Sequence, residues 1–180
     1  MKRPREEPPP LDVSAAIVDA WRTNHRATVL LVGSVPAATW GAPAPGLPRK
    51  SIRLLAAHLH NSRCGWLRTL GAPHGIAVPE QVDKRTVTPK QLVAALNRSG
   101  RAMGELLALG ARHGGRIPPT PRYVWRNLPL DIAHVLAYFA AHEGHHRGQI
   151  LMLARQLGHP RPREETEEIW HFTRLSKKED

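Results

Sequence analysis

Cysteine is almost absent from this chain of 180 residues: Cys64 stands alone, which excludes an intrachain disulfide and fits a reducing compartment. Long apolar runs are missing too. No stretch approaches the roughly 18 consecutive apolar residues of a membrane span, and the first ten residues, Met-Lys-Arg-Pro-Arg-Glu-Glu-Pro-Pro-Pro, hold no apolar signal core. These absences lead to the expectation of a cytoplasmic protein without membrane contact. Residues 1–10 read as a disordered tail and residues 11–175 as one domain, large enough to bury a core without covalent staples. Acidic residues are scarce, 15 against 26 Lys and Arg, for a net charge of +11. That surplus invites a nucleic-acid reading. The basic residues are mostly arginines scattered along the chain, with small groups only at Arg161-Pro-Arg163 and Lys177-Lys178. No recognition helix, zinc-finger spacing or aromatic-basic motif accompanies them, so specific nucleic-acid binding is not expected. Period-2 alternation is lacking as well, and with it any case for strands.

What the chain does contain is helical periodicity. Apolar residues at Ile17, Trp21, Val29, Leu30 and Val32 predict a first helix within Asp12 to Val35, stopped by Pro36. A proline-rich irregular connection follows to Pro48. A second helix is expected from about Lys50 to Leu70 on Ile52, Leu55, Leu59, Trp66 and Leu70. Thr88-Pro89 supplies a cap and first-turn proline for a third, reaching about Ala111. The fourth runs from about Asp131 to Gly158, and a short last element is expected over Glu164 to Phe172. Four amphipathic helices predict an all-α four-helix bundle, and the long first and third connections leave room for a crossover topology.

The fourth helix carries His142-Glu143-Gly144-His145-His146 among the 11 histidines of the chain. At about 100° per residue, His142 and His146 project within about 40° of each other, so both rings can reach one metal ion. The apolar seam of Ile132, Val135, Phe139, Ile150, Leu153 and Leu157 is read as passing through them. An ionisable ring at a core position needs a partner, and a divalent cation is the simplest. Catalytic sites usually take a third protein ligand. His58 and His60 both offer one from the second helix; His58 lies about 60° from the centre of the apolar face and His60 about 140° away. His58 is the better candidate, and His60 is expected to face solvent or a partner surface. Asn61, Tyr138, Glu143 and Gln149 are candidates for the surroundings of the metal, His145 for an exposed or supporting place, and Cys64 for a structural thiol.

The stretches Ala57-His-Leu-His-Asn-Ser-Arg-Cys-Gly-Trp-Leu67 and Ala141-His-Glu-Gly-His-His-Arg-Gly-Gln-Ile150, the latter continuing to Arg155-Gln-Leu-Gly158, resemble the DinB/YfiT-like superfamily. The resemblance implies a bacterial four-helix bundle, often dimeric, with a divalent metal held by one histidine of the second helix and two of the last. By position these are His58, His142 and His146. The extra histidine of His-Leu-His-Asn leaves His60 as the rival to His58. Relatives include transferases that use a low-molecular-weight thiol and a thiol-dependent isomerase.

A cation held by three neutral imidazoles keeps its full charge and can generate a nucleophile from water or a thiol at neutral pH. A zinc or nickel enzyme acting on a small molecule, by thiol transfer or hydrolysis, is therefore the leading expectation. A non-catalytic metal-containing or DNA-damage-related binding protein is the alternative. A third reading takes the cluster as the His-Glu-x-x-His motif of zinc peptidases, with Glu143 as general base and Glu164, Glu165, Glu167 or Glu168 as third ligand.

Overall fold

The computed structural model describes residues 10–123 and 127–177, so the expected tail, apart from Pro10, lies outside the described residues. Four long helices make the bundle: α1 (Val13–Gly33), α3 (Ile52–Trp66), α4 (Pro89–Arg112) and α5 (Ile132–Gln156). Each starts at a side-chain cap written in the sequence. Asp12 accepts from the Ala15 N–H (3.0 Å), Ser51 from Leu54 (3.3 Å) and Asp131 from His134 (3.0 Å). Thr88 and Gln91 cap each other reciprocally ahead of Pro89. No strand occurs among the described residues.

The proline-rich connection after α1 holds one short helix, α2 (Ala37–Trp40), where only irregular chain was expected. Beyond α3 the backbone widens over Leu67–Gly71, tightens over Ala72–His74 and turns at Gly75, whose φ of 81° suits glycine. The last element is two short helices, α6 (Arg163–Trp170) and α7 (Phe172–Ser176), both packed on α1. Arg26 of α1 donates to the Leu175 carbonyl at 2.8 Å and so fastens α7.

Two apolar clusters fill the bundle. One gathers Leu31, Ile52, Leu59, Leu92, Leu96 and Ile150; the other gathers Trp21, Leu67, Met103, Leu106, Val135 and Phe139. Their membership fixes the helix directions. Late α1 and late α5 share a cluster with early α3 and early α4, so α1 and α5 run one way and α3 and α4 the other. Consecutive α3 and α4 are therefore parallel, and the crossover is the second connection, residues 75–88, rather than the first or third. It can run back along α3 because His60 and Asn61 bind its backbone at Glu80 and Val82.

Between the two apolar clusters lies a buried polar level. Asn24, His25 and Thr28 of α1, Arg63 of α3, Ser99 of α4, and Glu143 and Arg147 of α5 all fall there. Gly100 belongs to the same level, since a Cβ there would stand 2.6 Å from the His25 ring. The histidine cluster lies at this height on the α3–α5 side.

Candidate metal centre

Antiparallel α3 and α5 bring three imidazoles together from two rigid supports. His58 Nε2 and His142 Nε2 are 3.3 Å apart, and one ring nitrogen each of His58, His142 and His146 lies within 4.8 Å of the others. The ring centroids form a compact triangle of 5.3, 4.8 and 4.7 Å. All three rings are half-buried. Among the described residues no other trio of histidine, cysteine or acidic side chains comes together in this way.

Burial disfavours charge on these rings. It is the largest cause holding His58 down from 6.5 to about 4, followed by the like charges that His146, His142, Lys84 and Lys50 would present. Desolvation lowers His142 and His146 first as well. Neutral imidazole is the form in which histidine can ligate a metal, and burial favours that form here. Ligand distances of about 2.0–2.1 Å around a tetrahedral ion place two nitrogens roughly 3.4 Å apart. The His58–His142 separation fits that edge, and the donor set suits a borderline-soft divalent ion.

The surroundings divide the remaining candidates. Gln149 Oε1 accepts from His146 Nδ1 at 2.7 Å, which favours the proton on Nδ1 and leaves the lone pair of Nε2 free. Tyr138 lies over His142 in a parallel stack at 6.1 Å, is 37% exposed, and meets Trp66 edge-on at 5.4 Å. Together they make an aromatic rim. His145 is exposed, its ring 5.1 Å from that of His146. Asn61 turns away from the imidazoles: its amide donates to Val82 O (3.0 Å) and accepts from Val82 N (2.9 Å).

Three expectations are corrected. His60 does not face solvent: it is fully buried, with Nδ1 3.0 Å from Ser99 Oγ and Nε2 2.8 Å from the Glu80 carbonyl. The returning 75–88 connection covers the face of α3 that would otherwise be wet, and His60 holds it there beside the buried Cys64. Second, the seam of α5 passes through Glu143 and Arg147, not through the histidines, which stand at its edge. Third, Glu143 is not a free base. Its carboxylate takes Arg63 Nε at 2.7 Å and Nη2 at 2.9 Å, Thr28 Oγ1 at 2.8 Å and Asn24 Nδ2 at 3.0 Å. Although burial opposes its charge, Arg63 and these hydrogen bonds hold its carboxyl below the usual range. A peptidase base must reach a water, and this carboxylate faces the core. Nor do the glutamates of α6 join the histidines; Glu165, Glu167 and Glu168 pair with Arg161, Arg163 and Arg174.

Sequence reasoning missed the arginines. Arg63 follows Leu59 by four residues and precedes Trp66 by three; Arg147 precedes Ile150 by three. That spacing sets both on apolar helix faces, a signal for buried, paired charge.

A sequence model described as the DinB family matches residues 11–171. No curated protein and no solved structure matches the chain.

Proposed function

The chain belongs to the DinB family, and from that premise we propose a metal-dependent enzyme in which His58, His142 and His146 hold one divalent cation, zinc or nickel. The observation that carries the reading is the convergence of three neutral, half-buried imidazole rings from α3 and α5. Three uncharged rings pressed together gain little from one another, whereas a shared cation satisfies all three. Such an ion, when bound, supplies Lewis acidity and lowers the pKa of a water or thiol that joins it.

The chain's own residues set the rest of the chemistry. Gln149 keeps the proton of His146 on Nδ1. Tyr138 and Trp66 give an apolar flank against which a small organic substrate can lie. Lys50 and Lys84 add positive potential felt at His58, and the neighbouring carboxylate of Glu143 is already neutralised by Arg63. A positive site without a free carboxylate favours an anionic co-substrate, as a low-molecular-weight thiolate would be. Thiol transfer to a small electrophile is thus the preferred reaction class, with hydrolysis of a small molecule as the second. A homodimer is the proposed assembly.

Metal analysis of protein purified without chelator or polyhistidine tag tests the reading. Stoichiometric metal in the wild type and its loss in His146→Ala are expected. Wild-type protein that takes up no zinc, nickel or cobalt, or a His146→Ala variant with undiminished metal, refutes it.

A further inference from the structure

Directly behind the histidines lies an ion pair that the proposed chemistry does not use. Arg63 and Glu143 meet as a two-pronged fork, and each side chain is 1% exposed. Arg63 stands five residues after His58 on α3, and Glu143 stands between His142 and His146 on α5. The other two long helices grip the same pair. Arg63 Nη1 donates to the Leu96 carbonyl of α4 at 3.2 Å, and its guanidinium sits 4.9 Å from the centre of the Trp21 ring of α1. Thr28 of α1 donates to Glu143 and accepts from Arg147, each at 2.8 Å.

A buried ion pair is a poor source of stability, because desolvating both charges offsets most of their attraction and apolar residues of similar size often serve as well. What it supplies instead is direction. Apolar contacts tolerate a slip of one helix along another; a guanidinium–carboxylate fork does not. Turning α5 by one residue, about 100°, or sliding it by one rise, about 1.5 Å, breaks both prongs. A metal site demands such exactness, since ligand distances must hold to within about 0.2 Å.

We propose that the Arg63–Glu143 pair is the positioning device of the histidine site, fixing the register of α3 against α5 so that His58 meets His142 and His146. Neither residue touches the metal; both act through the helices that carry the ligands. The proposal rests on the metal-binding reading, and its test separates the two.

The double variant Arg63→Met/Glu143→Gln removes both charges of the fork at once; Arg147 loses its neighbouring carboxylate but keeps its bonds to Asn24 and Thr28. Cobalt(II) titration of this variant and the wild type gives an affinity and a visible spectrum, the latter reporting coordination geometry; circular dichroism and thermal unfolding report the fold. The expected result is a folded variant whose cobalt affinity falls about 10- to 100-fold, as for other residues that orient metal ligands, with an altered spectrum. A folded double variant with wild-type affinity and spectrum overturns the proposal. Should the double variant not fold, Thr28→Val decides. It matches threonine in shape, removes the hydroxyl that donates to Glu143 and accepts from Arg147, and leaves the charges in place; a severalfold loss of affinity with a changed spectrum supports the proposal, and none overturns it. Wild-type protein that binds no cobalt defeats the metal reading itself, a separate outcome.

Discussion

Acid should weaken the metal-free protein well before it protonates the buried carboxylate, and His58 sets the scale. In the unfolded chain this histidine takes a proton near 6.5; in the folded protein, burial and the neighbouring His146 and His142 hold it near 4. Between those values the unfolded state binds more protons, so stability falls as the pH falls. The contribution is present in full above about 6.5 and is lost as the pH drops through about 4. From pH 7 to pH 5 the undamped linkage is about 2 kcal/mol, and the half-exposure of the ring reduces it to about 1 kcal/mol. His142 and His146 are displaced the same way and steepen the loss. Glu143, whose carboxyl is held low, gives up its contribution only below its ordinary 4.5, outside this window.

The measurement is urea unfolding of metal-free wild type and His58→Gln at pH 7 and pH 5. The wild type should lose about 1 kcal/mol more than the variant over that interval. Equal losses would show that His58 titrates normally in the folded chain and would sink the neutral-imidazole argument. The same displacement protects metal binding from acid. Three unperturbed imidazoles would lose about a thousandfold in affinity between pH 7.5 and 5.5 through proton competition. This site should lose much less, and a full thousandfold loss in a zinc competition titration would contradict the reading.

Replacing Gln149 with Leu frees the Nδ1 proton of His146; metal affinity should fall about tenfold with little change in melting temperature, read by titration and thermal unfolding together. His60→Ala should destabilise the fold by about 2–4 kcal/mol, since it opens a cavity and leaves the Glu80 carbonyl without its imidazole partner, while Ser99 keeps its bond to the Leu96 carbonyl. Metal stoichiometry in the surviving folded fraction should stay that of the wild type, whereas its loss would make His60 a ligand. Gly100→Ala gains up to about 1 kcal/mol of helix propensity. It nevertheless drives a methyl to 2.6 Å from the His25 ring, so a net loss of about 1–3 kcal/mol is expected by urea unfolding, and a stabilised variant would show the α1–α4 contact to be loose.

The helices were legible because their signals are local. Thr88-Pro89 announces the start of α4, and Asp131 that of α5, through contacts spanning three residues. The path of residues 75–88 was not legible, since nothing in that loop's own composition says which helix it will lie along. Its course depends on pairings of His60 with Glu80 and Asn61 with Val82 across about 20 residues of chain. For the same reason His60 read as a wet histidine. Rotation about α3 says which way a side chain points, and only the tertiary fold says what is waiting there.

The misplaced seam of α5 is the more instructive case. Between Phe139 and Ile150 the helical spacing admits either His142 and His146 or Glu143 and Arg147, which differ by one residue, or about 100° of rotation. Hydrophobicity favours the histidines in the core, because isolated glutamate and arginine are far costlier to bury than neutral imidazole. The structure takes the other register because the charges are not isolated: Arg63, Thr28 and Asn24 arrive from two other helices to satisfy them. A periodicity argument confined to one helix cannot include that compensation. The outcome also suits the chemistry. Histidines at the centre of the seam would be sealed among four helices, with no room for a further ligand on the metal. Set one residue aside, they rest half-buried at the α3–α5 edge, dry enough to stay neutral and open enough for a substrate to reach the ion they would hold.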